Sequence, residues 1–221
     1  LDTAIEGKRP EQPVERQPRQ VHTITDRFSM ANTYLINDER MIVVDPGSVL
    51  NTQLLLSYLQ RFLQRKPEDI DLIVLTHLHP DHSAGVDALR KVTHAPAAAY
   101  SGTPRLLDPL ATSDEYERQA QMIDIWLEDV VGLPNHLDWR VIASPGHTAE
   151  SLCLYNPFSY ELLCGDTLIT LDGGTILARG GTNRRRLQQT IQTLESLKVY
   201  YLYPGHGRPI LSMRALANVE W

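Results

Sequence analysis

The chain has 221 residues, 42% apolar and 22% charged, which is enough for one globular domain with a full core. No apolar run nears the roughly 18 residues that a membrane-crossing helix needs, and nothing has the pattern of a secretory signal, so a soluble cytoplasmic protein is expected. A net charge of -6 argues against a nucleic-acid partner held by bulk charge.

Residues 1–20 are rich in Pro, Gln, Glu and Arg and read as an arm or linker ahead of a single domain over 21–221. Short β-like runs follow: VHTIT, then MANTYLI and MIVVD, the last two joined by the turn residues NDER in an antiparallel start. DPGSVLNTQLLLSYLQRFLQRK passes from turn chemistry to apolar residues at helical spacing and stops at Pro67. DLIVLT is a continuous apolar strand of the kind buried on both faces, SAGVDALRKV a helix and AAAYS a short strand. Residues 103–138 read as a mostly helical insert broken at Pro109, in which Tyr116, Met122 and Trp126 either line a lid or pack as ordinary core.

WRVIASPGH is a strand running into a loop. SLCLY and YELLCG, separated by NPFS, form a hairpin whose Cys153 and Cys164 are read as buried free thiols rather than a disulfide or metal thiolate. RRRLQQTIQTLESL is a helix, YYLYPGHG a strand and loop, and SMRALANVE a terminal helix. Strands and helices thus arrive in two successive sets, which predicts an α/β fold of two packed sheets with helices outside.

LTHLHPDHSAG, just after the DLIVLT strand, concentrates three of the eight histidines and an aspartate. A strand ending at Leu75 delivers His77 and His79 to one side of the sheet edge, while Asp81 and His82 open the next helix and turn elsewhere, with Pro80 restricting the backbone between the pairs. Imidazole and carboxylate suit zinc, iron or manganese, so this loop can serve two adjacent ions. Further candidates recur in equivalent contexts, after an apolar run and beside glycine: His147 in SPGHTAES, Asp166 in CGDTL and His206 in YPGHGRP. His22, His94 and His136 show no such pattern and read as surface or strand residues.

THLHPDH resembles the HxHxDH signature of the metallo-β-lactamase superfamily, and His147, Asp166 and His206 match its remaining ligand positions in order. Asp45 in DPG matches its early aspartate motif. The resemblance implies a four-layered αββα sandwich of two mixed sheets. It implies that His77, His79 and His147 hold one divalent ion, that Asp81, His82 and His206 hold a second, and that Asp166 bridges them. Zinc is the first expectation, iron or manganese the others. Asp45 is expected to orient a ligand by hydrogen bonding rather than to bind metal, against the plain alternative of an Asp-Pro-Gly turn.

Two such ions share a water and lower its pKa from 15.7 towards roughly 7, so the implied reaction is hydrolysis of a small-molecule thioester, ester or lactone. Asp81 would orient that water and pass on its proton. Asp166 in GDTL is most similar to the equivalent segment of glyoxalase II, the hydroxyacylglutathione hydrolases. Typical members continue into a glutathione-binding helical segment, whereas this sequence runs only 15 residues past His206, which weighs against glutathione itself. In LARGGTNRRR, Arg179, Asn183 and Arg184 are candidates for a substrate carboxylate or phosphate, against the reading of a solvated helix start. Two alternatives stay open: a persulfide dioxygenase holding one iron through His79, His147 and Asp166, and a phosphodiesterase or nuclease. Nothing in the pattern bears on whether chains associate.

Overall fold

A computed structural model describes residues 20–100, 102, 121–172, 174–178, 181, 183–217 and 219–220. The N-terminal arm, apart from its last residue, lies outside them, as do Arg179, Tyr116 and the stretch 103–120. The first sheet has the order β1 (Gln20–Thr25), β2 (Asn32–Asn37), β3 (Met41–Val44), β4 (Ile70–Leu75), β5 (Ala97–Tyr100), β6 (Ile125–Leu127). It is mixed: β1 to β3 pair antiparallel, β3 to β6 parallel. Helix α1 (Val49–Phe62) connects β3 to β4, and the short α2 (Pro80–Ser83) and α3 (Val86–Thr93) connect β4 to β5.

The second sheet contains β7 (Gly132–Leu133), β8 (His136–Ala143), β9 (Leu152–Asn156), β10 (Glu161–Gly165), β13 (Tyr201–Pro204) and β14 (Ile210–Leu211). It too is mixed, with β10 and β13 parallel and the other pairs antiparallel. A third, small sheet joins β11 (Leu168–Thr170), β12 (Ile176–Ala178) and β15 (Val219–Glu220). Helix α4 (Arg184–Glu195) precedes β13.

Strand alternation sorts the core. Along β2 to β5, Leu35, Met41, Val43, Ile73, Leu75 and Ala97 pack with Leu55 and Leu59 of α1 and Leu89 of α3. Their neighbours Tyr34, Ile36, Ile42, Val44, Val74 and Ala98 pack instead with Trp139, Val141, Leu152, Leu154 and Leu163 of the second sheet. That sheet's other face sends Cys153, Leu162 and Cys164 against Leu187, Ile191 and Leu194 of α4. Residues apolar on both faces, as in Leu72–Leu75, are thereby accounted for.

Two sequence expectations are corrected. Beyond residue 120 the expected helical insert is not helical: Ile125–Leu127 adds to the first sheet beside Ala98–Tyr100, and the region from Gly132 forms a hairpin turning at Pro134 and Asn135. An Ile-Trp-Leu run favours a pleated surface, and Gly-x-Pro-Asn is turn chemistry. Trp126 therefore rides a strand, while Met122 packs against the first core. The expected terminal helix is a turn closed by Ala217 N–H donating to the Arg214 carbonyl, followed by β15 pairing with β12. The cysteine hairpin is found as expected, both thiols free and buried.

Candidate metal centre

The candidate ligands all sit just past C-terminal strand ends: residues 77–82 after β4, His147 after β8, Asp166 after β10 and His206 after β13. Parallel pairing of β3 with β4 and of β10 with β13 sends these ends to one edge of each sheet. Cross-sheet bonds join the two edges. Asn32 N–H donates to the Gly205 carbonyl (2.7 Å), Leu152 N–H to the Thr76 carbonyl (2.8 Å), and Tyr34 Oη to the Pro204 carbonyl (2.6 Å).

The first loop is shaped by a very short helix. His79 is the N-cap of α2, Pro80 takes the first helical position, where its missing N–H costs nothing, and Asp81 and His82 follow at once. The second sheet contributes through glycines. A Cβ on Gly205 would lie 2.3 Å from Asp166 Oδ1, and one on Gly165, whose φ is +49°, 2.3 Å from Thr76 Oγ1. Only glycine lets these segments approach that closely.

Seven side chains converge as two groups that meet at Asp166. In the first, His79 Nδ1 lies 3.1 Å from His77 Nε2 and 3.2 Å from His147 Nε2, and Asp166 Oδ2 is 3.5 Å from His147 Nε2 and 4.0 Å from His77 Nε2. In the second, Asp81 Oδ2 lies 3.3 Å from His206 Nε2 and 3.7 Å from His82 Nε2, and Asp166 Oδ1 is 3.5 Å from both imidazoles. Donor atoms about 2.0–2.1 Å from one tetrahedral ion stand roughly 3.3–3.4 Å apart, so these spacings fit a cation in each group. The buried His82 Nε2 has no hydrogen-bond partner, a cost that a bound cation would remove. Among the described residues, His77, His79, His147 and Asp166 form one cluster of potential ligand atoms, Asp81, His82 and His206 another, and Asp45, His77 and His82 a third.

The two groups differ electrostatically, burial dominating at one histidine and carboxylates at another. Burial pushes His77 well below the ordinary histidine range, reinforced by the neighbouring imidazoles. Burial would lower His82 too, but the carboxylate of Asp45, then those of Asp166 and Asp81, outweigh it and hold it above its ordinary value. The Asp81 carboxyl is held far below the usual range by its hydrogen bond to His206, against the opposing effect of burial.

Asp45 lies against Thr76 and His82. Its Oδ1 accepts from Thr76 N–H (2.8 Å), and its Oδ2 accepts from Thr76 Oγ1 (2.6 Å) and meets His82 Nδ1 at 2.9 Å. It is buried with φ +53°, a conformation aspartate tolerates better than most residues. Thr33 Oγ1 holds the Asp45 carbonyl at 2.6 Å, and Asn51 Nδ2 donates to Thr33 Oγ1 (2.7 Å) and to the Pro46 carbonyl (3.3 Å). Sequence reasoning missed Thr33, Asn51 and Thr76. The one available signal was a polar threonine closing an otherwise apolar strand ahead of His77.

Of the substrate candidates, Asn183 is the N-cap of α4, its side-chain oxygen accepting from Arg186 N–H (3.0 Å), while its own N–H reaches the Gly146 carbonyl (3.1 Å) beside His147. Arg184 is exposed one residue on. His22 meets Tyr58 Oη at 2.9 Å, His94 is the left-handed C-cap of α3, and His136 lies 3.5 Å from Asp71.

This fold and this convergence of histidines and aspartates on one edge agree with sequence comparison: residues 26–206 match the metallo-beta-lactamase superfamily, and the chain belongs to it. Among curated proteins it is 28% identical over 170 residues to a hydroxyacylglutathione hydrolase of Idiomarina loihiensis, covering 77% of this chain and 54% of that one. A protein of the same name from Chromohalobacter salexigens is 30% identical over 187 residues, covering 82% of this chain and 63% of that one. The chain thus spans between about half and two thirds of these relatives. Among solved structures, TTHA1623 in a di-iron-bound form superposes with a TM-score of 0.63 at 24% identity, covering 86% of this chain and 94% of that one. No described helix is long and apolar enough to cross a membrane.

Proposed function

We propose that this chain is a binuclear metal-dependent hydrolase that cleaves a small thioester, ester or lactone. The observation that carries the reading is the Asp166 carboxylate, which turns one oxygen to His147 and the other to His82 and His206, so that a single residue faces two complete ligand groups. In this reading His77, His79 and His147 hold one ion, Asp81, His82 and His206 the other, Asp166 serves both, and Asp45 orients His82. Two divalent ions would supply Lewis acidity and a water acidic enough to ionise near neutral pH. Zinc is the first choice; the di-iron form of a structural relative supports iron as the other.

The protein's own groups do the rest. Asp81, a third exposed, reaches the mouth of the site and orients the attacking water. A carboxylate held so far below its usual range is a weak base, which favours orientation over proton storage. Asn183 and Arg184, beside the His147 loop, offer an amide and a guanidinium to an anionic group on the substrate. The hydroxyacylglutathione hydrolases support a thioester, and the core clusters on either face of each sheet support αββα layering. We also place the protein in the cytoplasm, a reading the free Cys153 and Cys164 support.

The test is a panel of thioesters, lactones, simple esters and phosphodiesters presented to protein of measured metal content. Near two divalent ions per chain with thioester or lactone turnover is expected. One iron per chain with oxygen uptake would replace the hydrolase by the dioxygenase reading, and cleavage confined to phosphodiesters would replace it by the nuclease reading.

A further inference from the structure

Thr76 stands between the Asp45 carboxylate and His77, and the hydrogen bonds there leave little freedom in where the protons go. We infer that the Thr76 hydroxyl relays Asp45 to His77, so that one buried carboxylate fixes the ring proton of a histidine in each of the two ligand groups. Thr76 is then a positioning residue for the first group, as Asp45 is for the second.

The argument is one of donor and acceptor counting. As a carboxylate, Asp45 only accepts. The Thr76 hydroxyl has one hydrogen, and at 2.6 Å it is given to Asp45 Oδ2. What remains on that oxygen is acceptor capacity alone, its two lone pairs, and 3.0 Å from it stands His77 Nδ1. A lone pair can be met there only by an N–H, so His77 carries its proton on Nδ1 and presents an unprotonated Nε2 towards His79 and Asp166. His82 obeys the same rule directly: its Nδ1, 2.9 Å from Asp45 Oδ2, must donate, while its Nε2 faces Asp166 and Asp81. Both rings thereby carry a proton on the nitrogen turned away from the interior of the site.

The relay is held rigidly. Thr76 is buried, its N–H is bonded to Asp45 Oδ1 and its carbonyl to Leu152 N–H, which fixes the strand end from both sides. Its side chain fits against Gly165, where any Cβ would strike the hydroxyl. The bonds from Thr33 to the Asp45 carbonyl and from Asn51 to Thr33 keep the aspartate aimed at it.

Ring-proton placement follows from hydrogen bonds alone; only its consequence for ion affinity rests on the metal-centre reading. Long-range proton–nitrogen NMR correlations of the histidine rings in the metal-free full chain report each tautomer. In wild type, His77 and His82 are both expected to carry a proton on Nδ1. In Thr76→Val, His77 loses that preference while His82 keeps it; Thr76→Ser restores His77; Asp45→Asn disturbs both. Titration with zinc against a competing chelator then shows Thr76→Val losing about 10–100-fold in affinity for one ion only, as the loss of a supporting hydrogen bond to a ligand does. A wild-type His77 protonated on Nε2 overturns the relay without any variant, so a poorly folding Thr76→Val cannot shelter it. An unchanged His77 in Thr76→Val, or an equal change in His82, also overturns it. If wild type shows the expected tautomers and binds no divalent ion, the relay stands and the metal reading falls.

Discussion

The two sheets furnish the site in opposite ways. The first supplies His77, His79, Asp81 and His82 from one six-residue stretch after β4, shaped by a proline and a single turn of helix. The second supplies His147, Asp166 and His206 from three loops separated by β9 and β10 and by β11, β12, α4 and β13, and brings them together through strand pairing, packing and close glycine contacts. One half of the centre is written locally; the other exists only once the sheet has formed. Geometry in the second half should therefore respond more sharply to small changes in volume.

The largest expected effect is at the meeting point. Asp166→Ala removes the carboxylate whose two oxygens face the two groups, so both ions should be lost, and turnover should fall by more than the roughly 100-fold that marks the upper range for losing a supporting residue. His82→Ala, in the local half, should cost one ion and leave the other, since the first group does not use it. Metal content by elemental analysis checks both, and retention of two ions in Asp166→Ala would break the bridging role.

Next is Gly205→Ala. The new Cβ would stand 2.3 Å from Asp166 Oδ1 and 2.8 Å from the Gly165 carbonyl carbon, so the carboxylate must move. A 10- to 100-fold drop in metal affinity is expected, comparable to losing a ligand's support. Gly85→Ala, behind the local half, meets Thr52 Oγ1 at 2.8 Å and the carbonyls of Gly47 and Ser48 at 3.0 Å, and its effect should fall on stability, about 1–3 kcal/mol, more than on affinity. Chelator competition and thermal melting of the two variants decide whether the halves differ as described.

A smaller effect belongs to the seam. Tyr34→Phe removes the 2.6 Å bond to the Pro204 carbonyl, which keeps a 3.0 Å bond from Asn32 Nδ2, so no acceptor is stranded. A loss near 1 kcal/mol in denaturant unfolding is expected, with metal affinity unchanged.

The same contrast governs what the sequence revealed. HLHPDH was legible because its spacing itself fixes the geometry, and Leu72–Leu75 because a strand segment buried on both faces must be apolar. His147, Asp166 and His206 were legible only as a recurring context of apolar run plus glycine; that they meet is a consequence of strand order, which no local pattern states. Ile125–Leu127 was misread because a three-residue strand gives too few residues for a period, and pairing with Ala98–Tyr100 supplies what propensity alone does not. Thr33, Asn51 and Thr76 escaped because their roles are hydrogen bonds to backbone or to Asp45, invisible until the turn that they hold is in place.

The mildest prediction concerns the cysteines, which lie in the assembled half yet outside its chemistry. Burial pushes the Cys153 thiol up to about 11 and Cys164 well above the ordinary range, so at pH 8 roughly a thousandth of Cys153 is thiolate even before access is considered. Iodoacetamide should therefore leave both unmodified in the folded protein and label both after unfolding, read by intact mass. The sign of the linked pH effect follows. Between the ordinary thiol value near 9 and the raised folded one, the unfolded chain releases protons that the folded chain keeps, so stability from these thiols falls as pH rises through that window. Replacing both with alanine should flatten part of that alkaline decline while leaving the metal content untouched, because neither sulfur belongs to a ligand cluster among the described residues. Labelling at native pH would mean that the second sheet opens readily, and the assembled half would then be the looser of the two rather than the more finely fitted.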